Sequence, residues 1–351
     1  MRIHKYSGGL VFDEKFDAIG PEWSTSDPAN IKIENNALKL THSSLRDVFI
    51  LRDIPASAGA FEADITYNPT AINDRGGLLL FNATNETAEL LESEDAALSA
   101  LENIKVIRNN DTFNFYMQRN GLFELIDSVS YPFSKIGFVL KQGDAAEFVP
   151  LYVERFIATK SNCLQVKNLM SGYKVELISG MDIITGMSDV SGVVELTLPH
   201  LIMTGTLRIY DETNKLIDEK TADFAGGDIY YCGTFLEIRK EGTPLNEANP
   251  NGLGRMENGV LEVKLDVYNP TSIIANNIQL AVQQYSGQFG YEWADIAADI
   301  EGVPGIYQDT LHIPSIEGNS MVSFWIKVEK VDTSIDSDSV SFAISMEHAT
   351  G

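Results

Sequence analysis

Apolar and polar residues alternate along most of this chain. Leu261, Val263, Leu265 and Val267 alternate with Glu262, Lys264 and Asp266, and Tyr173, Val175 and Leu177 alternate with Lys174 and Glu176. Val340, Phe342, Ile344 and Met346 repeat the pattern between serines and Ala343, as do Phe324, Ile326 and Val328 beside Trp325 and Lys327. A period of two puts one set of side chains on a buried face and the other in water, which predicts half-buried strands. Turn-forming clusters such as Asn35-Asn36 and Asp211-Glu212-Thr213-Asn214 separate the runs. Asn120-Gly121 lies between two apolar-rich runs and predicts a tight hairpin. The pattern predicts an all-β chain of antiparallel sandwiches.

One segment departs from it. Glu86 to Ile104 is rich in Ala, Leu and Glu, with Ala97, Leu101 and Ile104 at helical spacing and Asn85 placed to cap the start. This segment predicts a short helix, or a helical excursion in a long loop, with a solvated acidic face. Composition shifts place boundaries near residues 157 and 234. The expected units are 1–157, 158–233 and 234–351, with an exposed turn region from Glu241 to Arg255.

Charge narrows the choice of partners. The 351 residues carry a formal net charge of −24, and no unit is basic. Duplex nucleic acid and anionic bilayers both attract basic faces, so neither is an expected partner. No run approaches the roughly 18 apolar residues of a membrane span. Arg2 and Lys5 are not followed by an apolar run, so no secretory signal is expected and synthesis is assigned to a cytoplasm. The two cysteines, Cys163 and Cys232, cannot build a disulfide framework and read as small hydrophobes.

Phe12-Asp13-Glu14-Lys15-Phe16-Asp17, then Trp23, then the run Ile31 to Leu40 with its Asn35-Asn36 turn, resembles the opening of concanavalin A-like lectin and glucanase domains. The strands expected at Gly59 to Tyr67 and Gly76 to Phe81 are similar to the next elements of that family. The resemblance implies a concanavalin A-like jelly roll over residues 1–157, with a sheet face that holds carbohydrate. Many glucanases of this fold place Glu, Asp and Glu at alternate positions of one strand, so that all three project from one face. Here the strand reads Glu62-Ala63-Asp64-Ile65-Thr66. Thr66 stands where the second glutamate would be, and a hydroxyl cannot replace a carboxylic acid in proton transfer. The expectation is therefore no catalysis. Glu62, Asp64 and Trp23 are the candidate glycan-binding residues, the first two through hydrogen bonds and Trp23 through stacking. The plainer reading puts Phe61, Ala63 and Ile65 inward, and Trp23, Trp293 and Trp325 in core or rim positions.

Gly172-Tyr173-Lys174-Val175-Glu176-Leu177, Ser191-Gly192, Gly205 to Asp211 and Gly226-Gly227-Asp228-Ile229-Tyr230 resemble a small immunoglobulin-like or prealbumin-like sandwich of bacteriophage tail and baseplate proteins. The closing segment, with Trp293 to Ala297 and Phe324 to Val328, is similar to another such sandwich. The five histidines lie far apart in sequence, and the chain holds neither a His-Glu-x-x-His nor a Gly-x-Ser-x-Gly motif. No cofactor is expected. Calcium is the one candidate metal, at Asp13, Glu14 and Asp17 or at Asp332, Asp336 and Asp338, where the plainer reading is a solvated loop.

These readings lead to a non-enzymatic structural protein of a tailed-bacteriophage virion, in its tail, baseplate, collar or fibre. Its expected partners are other virion proteins, further copies of itself and a host cell-surface polysaccharide, and its expected location is the particle. The alternatives are a carbohydrate-binding adhesin and a capsid decoration or head-fibre protein. A glycan-cleaving enzyme is the remaining one, resting on Glu62.

Overall fold

A computed structural model describes residues 3–43, 47–70, 74–82, 86–93, 101–119, 121–141, 149–245, 251–257, 259–271, 273–284, 291–330 and 340–350. The chain opens on β1 (Ile3–Ser7). The first unit follows as β2 (Leu10–Glu14), β3 (Trp23–Thr25), β4 (Ile31–Glu34), β5 (Ala37–Leu40), β6 (Val48–Asp53), β7 (Ala60–Tyr67) and β8 (Arg75–Phe81). It continues through β9 (Thr87–Ser93), β10 (Leu101–Asn109), β11 (Thr112–Arg119), β12 (Leu122–Ser130), β13 (Lys135–Lys141) and β14 (Leu151–Thr159). The eight-stranded sheet has the order β12-β11-β10-β7-β14-β5-β4, with β2 also on β14, and faces the five-stranded sheet β3-β6-β13-β8-β9. Between them lies a core that includes Phe16, Trp23, Phe61, Phe113, Phe138 and Phe156. This is the expected concanavalin A-like jelly roll.

The helix expected from Glu86 to Ile104 is corrected at its two described ends, which are strands. Thr87–Ser93 is β9, paired with β8 so that Leu78 faces Leu90 and Leu79 faces Glu89. Leu101 begins β10, and 94–100 lie outside the described residues. Leu90 enters the main core, while Leu91 joins Leu51, Leu79 and Val139 on the far face of the sheet. Pairing and burial on both faces outweigh the few tenths of a kcal/mol per residue by which such a segment prefers helix. β11 and β12 pair as the predicted hairpin, Arg119 opposite Leu122, with Gly121 at φ 82°; Asn120 lies outside the described residues.

The middle unit holds β15 (Cys163–Lys167), β16 (Lys174–Ser179), β17 (Asp182–Met187), β18 (Val194–Thr197), β19 (Ile202–Tyr210), β20 (Leu216–Ala225) and β21 (Ile229–Cys232). One of its sheets is β17-β16-β19-β20 and the other is β1-β21-β15-β18. The first strand of the chain thus belongs here and not to the jelly roll, and Ile3 is part of the middle core. The third unit holds β22 (Glu237–Lys240), β23 (Thr243–Pro244), β24 (Val260–Tyr268), β25 (Ala275–Gln284), β26 (Ala294–Ile300), β27 (Val303–Pro304), β28 (Thr310–Ile316), β29 (Met321–Glu329) and β30 (Phe342–Thr350). Its sheets are β23-β22-β24-β29-β26-β27 and β28-β25-β30. Trp293 lies in its core, whereas Trp325 stands on the outer face and donates to Asp299 at 2.6 Å. Both cysteines are free thiols.

β1 also reaches the third unit. Tyr6 stacks on Tyr231 at 4.8 Å and meets Phe235 edge-on, and His4 stacks on His348 at 4.2 Å. Where β1 leaves for the jelly roll, the segments around Gly9, Gly59, Lys160-Ser161 and Gly226-Gly227 pass in backbone contact. A Cβ at Gly9 would lie 2.1 Å from the Gly226 carbonyl oxygen, and one at Gly226 would lie 2.0 Å from that of Ser161. Only hydrogen atoms fit there. Asp228, fully buried, accepts from the Gly9 amide at 2.7 Å and the Lys5 ammonium at 2.8 Å.

Candidate functional site: the outer face of the large sheet

The period of two along β7 sends Phe61, Ala63 and Ile65 into the core and Glu62, Asp64 and Thr66 to the outer face of the eight-stranded sheet. The neighbours extend this face. Lys105 of β10 and Ile157 of β14 flank Glu62, and Asn103 flanks Asp64. Tyr152 lies beside Thr66. Two of the candidate residues, Glu62 and Asp64, are therefore brought together. The third is not, since Trp23 lies in the core, 7% exposed, with Phe16, Phe138 and Phe156 rings about it at 5.8, 6.3 and 6.1 Å. The stacking role expected of Trp23 is corrected: aromatic contacts inside the sandwich occupy the ring.

Glu62 is closed over by the middle unit. The segment between β18 and β19 brings His200 Nδ1 to 2.6 Å from Glu62 Oε1, and the Leu201 amide donates to Oε2 at 2.7 Å. Lys105 Nζ stands 3.6 Å from the same carboxylate. Glu62 and Lys105 are each only 4% exposed. Lys105 also donates to the carbonyls of Leu198 and Pro199 and lies 4.0 Å over the Phe123 ring. Ala60, Ile157 and Leu201 seal the cluster with a small apolar contact. Burial lowers the Lys105 ammonium, with Glu62 opposing, and the bond to Glu62 raises the His200 imidazole. These charges are matched and hydrogen-bonded, as buried ions must be.

Asp64, half-buried, is pushed up by desolvation and then by the Glu62 charge, with Arg155 pulling the other way. Arg155 in turn forms a two-pronged bond with Asp13, Nε to Oδ1 at 2.7 Å and Nη2 to Oδ2 at 2.9 Å, which lowers the Asp13 carboxyl. Asp13, one of the candidate calcium ligands, is thus engaged by a guanidinium, and Glu14 accepts from the Phe16 amide. Asp332, Asp336 and Asp338 lie outside the described residues. Among the described residues no three His, Cys, Asp or Glu side chains group as metal ligands would.

Beyond Asp64 the face opens. Glu34, Asn35, Asn36, Ala37, Thr66, Tyr152 and Glu154 line a cleft of about 300 Å³. Its wall is the β4–β5 turn, where Asn35 and Asn36 take the left-handed φ values of 56° and 59° that a tight hairpin requires. Lys32 and Lys39, each 2.7 Å from Glu34, hold its carboxyl down at about 2. Lys39 also lies 5.3 Å over the Tyr152 ring. The cleft offers an aromatic edge, two amides and two carboxylates, a set suited to hydroxyl-rich ligands. Sequence reasoning passed over His200, Lys105 and Tyr152. His200 read as a lone histidine, and only the Asn35-Asn36 turn signalled the cleft wall.

No protein-family model matches the chain, and no curated protein matches it. Among solved structures it is similar to a GH43 protein from Bacillus licheniformis, at 11% identity over 42% of this chain and 39% of that one, with a TM-score of 0.36. A xylan β-1,4-xylosidase from Bacillus halodurans is similar at 14% identity over 42% of this chain and 38% of its own, with a TM-score of 0.36. A Bacillus licheniformis β-glucanase is similar at 13% identity over 44% of this chain and 99% of its own, with a TM-score of 0.31. The match thus spans about two fifths of the first two proteins.

Proposed function

We propose that the chain is a non-enzymatic structural protein of a tailed-bacteriophage virion, placed in its tail, baseplate, collar or fibre. The observation that carries this reading is the fate of Glu62. The carboxylate on which a hydrolase would depend is enclosed by His200, Leu201 and Lys105, where it joins one sandwich to the next. A group held there is out of reach of a glycosidic oxygen. The shared strand β1 and the backbone crossing at Gly9 and Gly226 act in the same sense, making a stiff unit from serial sandwiches. Support for the particle itself comes from the sequence resemblances of the middle and closing units. The test is peptide mass spectrometry of purified particles from the producing culture, split into head and tail fractions. Stoichiometric recovery with tails supports the reading, recovery with heads moves the chain to the decoration or head-fibre alternative, and absence from both overturns it.

A second reading, host-glycan contact, is favoured by the open cleft beside Thr66 and Tyr152. It is compatible with the first. Calorimetric titration with bacterial wall polysaccharides tests it. Tyr152→Ala should cut binding at least tenfold, and an unchanged affinity removes the cleft as the site.

A further inference from the structure

Among the described residues strand β17 is an edge of its sheet, paired only with β16 in the order β17-β16-β19-β20. The two are joined by the two-residue turn Gly180-Met181, with Gly180 at φ 58°, so Ser179 and Asp182 form the hydrogen-bonded pair beside the turn. Counting on by twos, Asp182, Ile184 and Gly186 direct their amides and carbonyls to β16. Ile183, Thr185 and Met187 direct theirs to the open edge. The same three side chains face solvent, since Ile184 and Gly186 turn toward the middle core. Natural edges are normally guarded by charge or proline. Here β12 carries Glu124 and Asp127, β20 carries Asp218, Glu219, Lys220 and Asp223, and β28 carries Pro314. The open positions of β17 carry none of these. Ile183 is 63% exposed and Met187 68%, and Met181 at the turn is 99% exposed.

We propose that β17 is an assembly edge on which two copies of this chain pair antiparallel across a twofold axis, joining their middle sheets into one. Charge selects the second copy as the occupant. Each chain carries −24, so copies repel wherever acidic surfaces meet. Between Glu176 and Asp189 the sequence holds one charged residue, Asp182. An axis through Thr185 sets Ile183 against the partner's Met187 and keeps the two Asp182 carboxylates at opposite ends of the ladder. Backbone bonds from Ile183, Thr185 and Met187 then repeat in both directions, which is the isologous geometry of a closed dimer. This inference does not depend on the assignment to a particle.

The experiment is light scattering on the full chain as it elutes from a sizing column, at tens of micromolar. The wild-type chain should elute at twice its 38.7 kDa mass, with association tightening as salt screens the repulsion. Ile183→Lys, at an exposed position, should elute at the single-chain mass with an unchanged circular dichroism spectrum. Thr185→Pro, which removes the amide on the axis, should do the same. A wild-type chain at the single mass overturns the proposal and leaves the edge to a different partner. An Ile183→Lys chain still at double mass overturns it too, by moving the interface elsewhere.

Discussion

Glu62 shows how a residue changes meaning with its surroundings. In sequence it is a carboxylate on an alternating strand, and its placement on the outer face followed from period two alone. What covers that face could not be read, because His200 lies 138 positions away. Enclosure gives a stability prediction. Glu62→Ala leaves the Lys105 ammonium buried without its counter-charge and should cost about 3–5 kcal/mol in urea unfolding. Replacing both, Glu62→Leu with Lys105→Met, should recover most of that loss; a single variant as stable as wild type would show that the cluster does not hold the junction. Two histidines then set opposite pH slopes. His200 is raised by Glu62, so its contribution is full below the unfolded value of about 6.5 and fades as pH rises through the higher folded value. His348, 3% exposed and stacked on His4, is lowered to about 4 by burial first and His4 second. Its contribution is present above about 6.5 and is lost as pH falls toward 4, by as much as about 3 kcal/mol. Urea midpoints measured against pH should therefore fall on both sides of about 6.5. His348→Phe should flatten the acid limb and His200→Gln the neutral-to-alkaline limb, each leaving the other in place.

At the level of elements, local pattern specified what local physics decides. The alternating runs became β16, β24, β29 and β30, and β11 pairs with β12 across the predicted hairpin. The failure at Glu86 to Ile104 has the same origin, since Ala, Leu and Glu favour helix only until a neighbouring strand offers a ladder and two apolar faces. The placement of β1 was illegible for another reason. Ile3 to Ser7 has no period of two, its partner β21 lies more than 200 residues on, and no local signal names it. The crossing glycines were equally silent, for nothing beside Gly9 or Gly226 in sequence names the backbone each one meets. Their close approach makes them testable. Gly9→Ala or Gly226→Ala must push a backbone carbonyl aside and should destabilise by about 2–3 kcal/mol. Gly8→Ala has open space around its Cβ and should be near neutral. Chemical denaturation of the three variants separates close packing from simple loss of turn flexibility.

At the scale of the whole molecule, the sandwiches are coupled through surfaces that each unit needs for its own fold. The middle core includes Ile3, so that unit is incomplete without the first strand. The third core packs against Tyr6 and Tyr231, and the His4–His348 stack lies on the same strand. The jelly roll meets the middle unit through the enclosed Glu62 and the Ala60–Ile157–Leu201 contact. A chain joined only by linkers would melt in independent steps, whereas one that shares a strand loses two units when that strand leaves. Calorimetry of the intact chain should show the middle and third units unfolding in one transition. Removing residues 1–8 takes an edge strand and a core side chain from the middle sandwich and the packing partners from the third. That change should lower the shared transition, split it in two and leave the jelly-roll transition least affected. Limited proteolysis should follow the same order, cutting the shortened chain first in the middle unit. If the shortened chain melts as the intact one does, β1 is an appendage, and the stiffness on which the proposed structural role rests must come from the Glu62 junction alone.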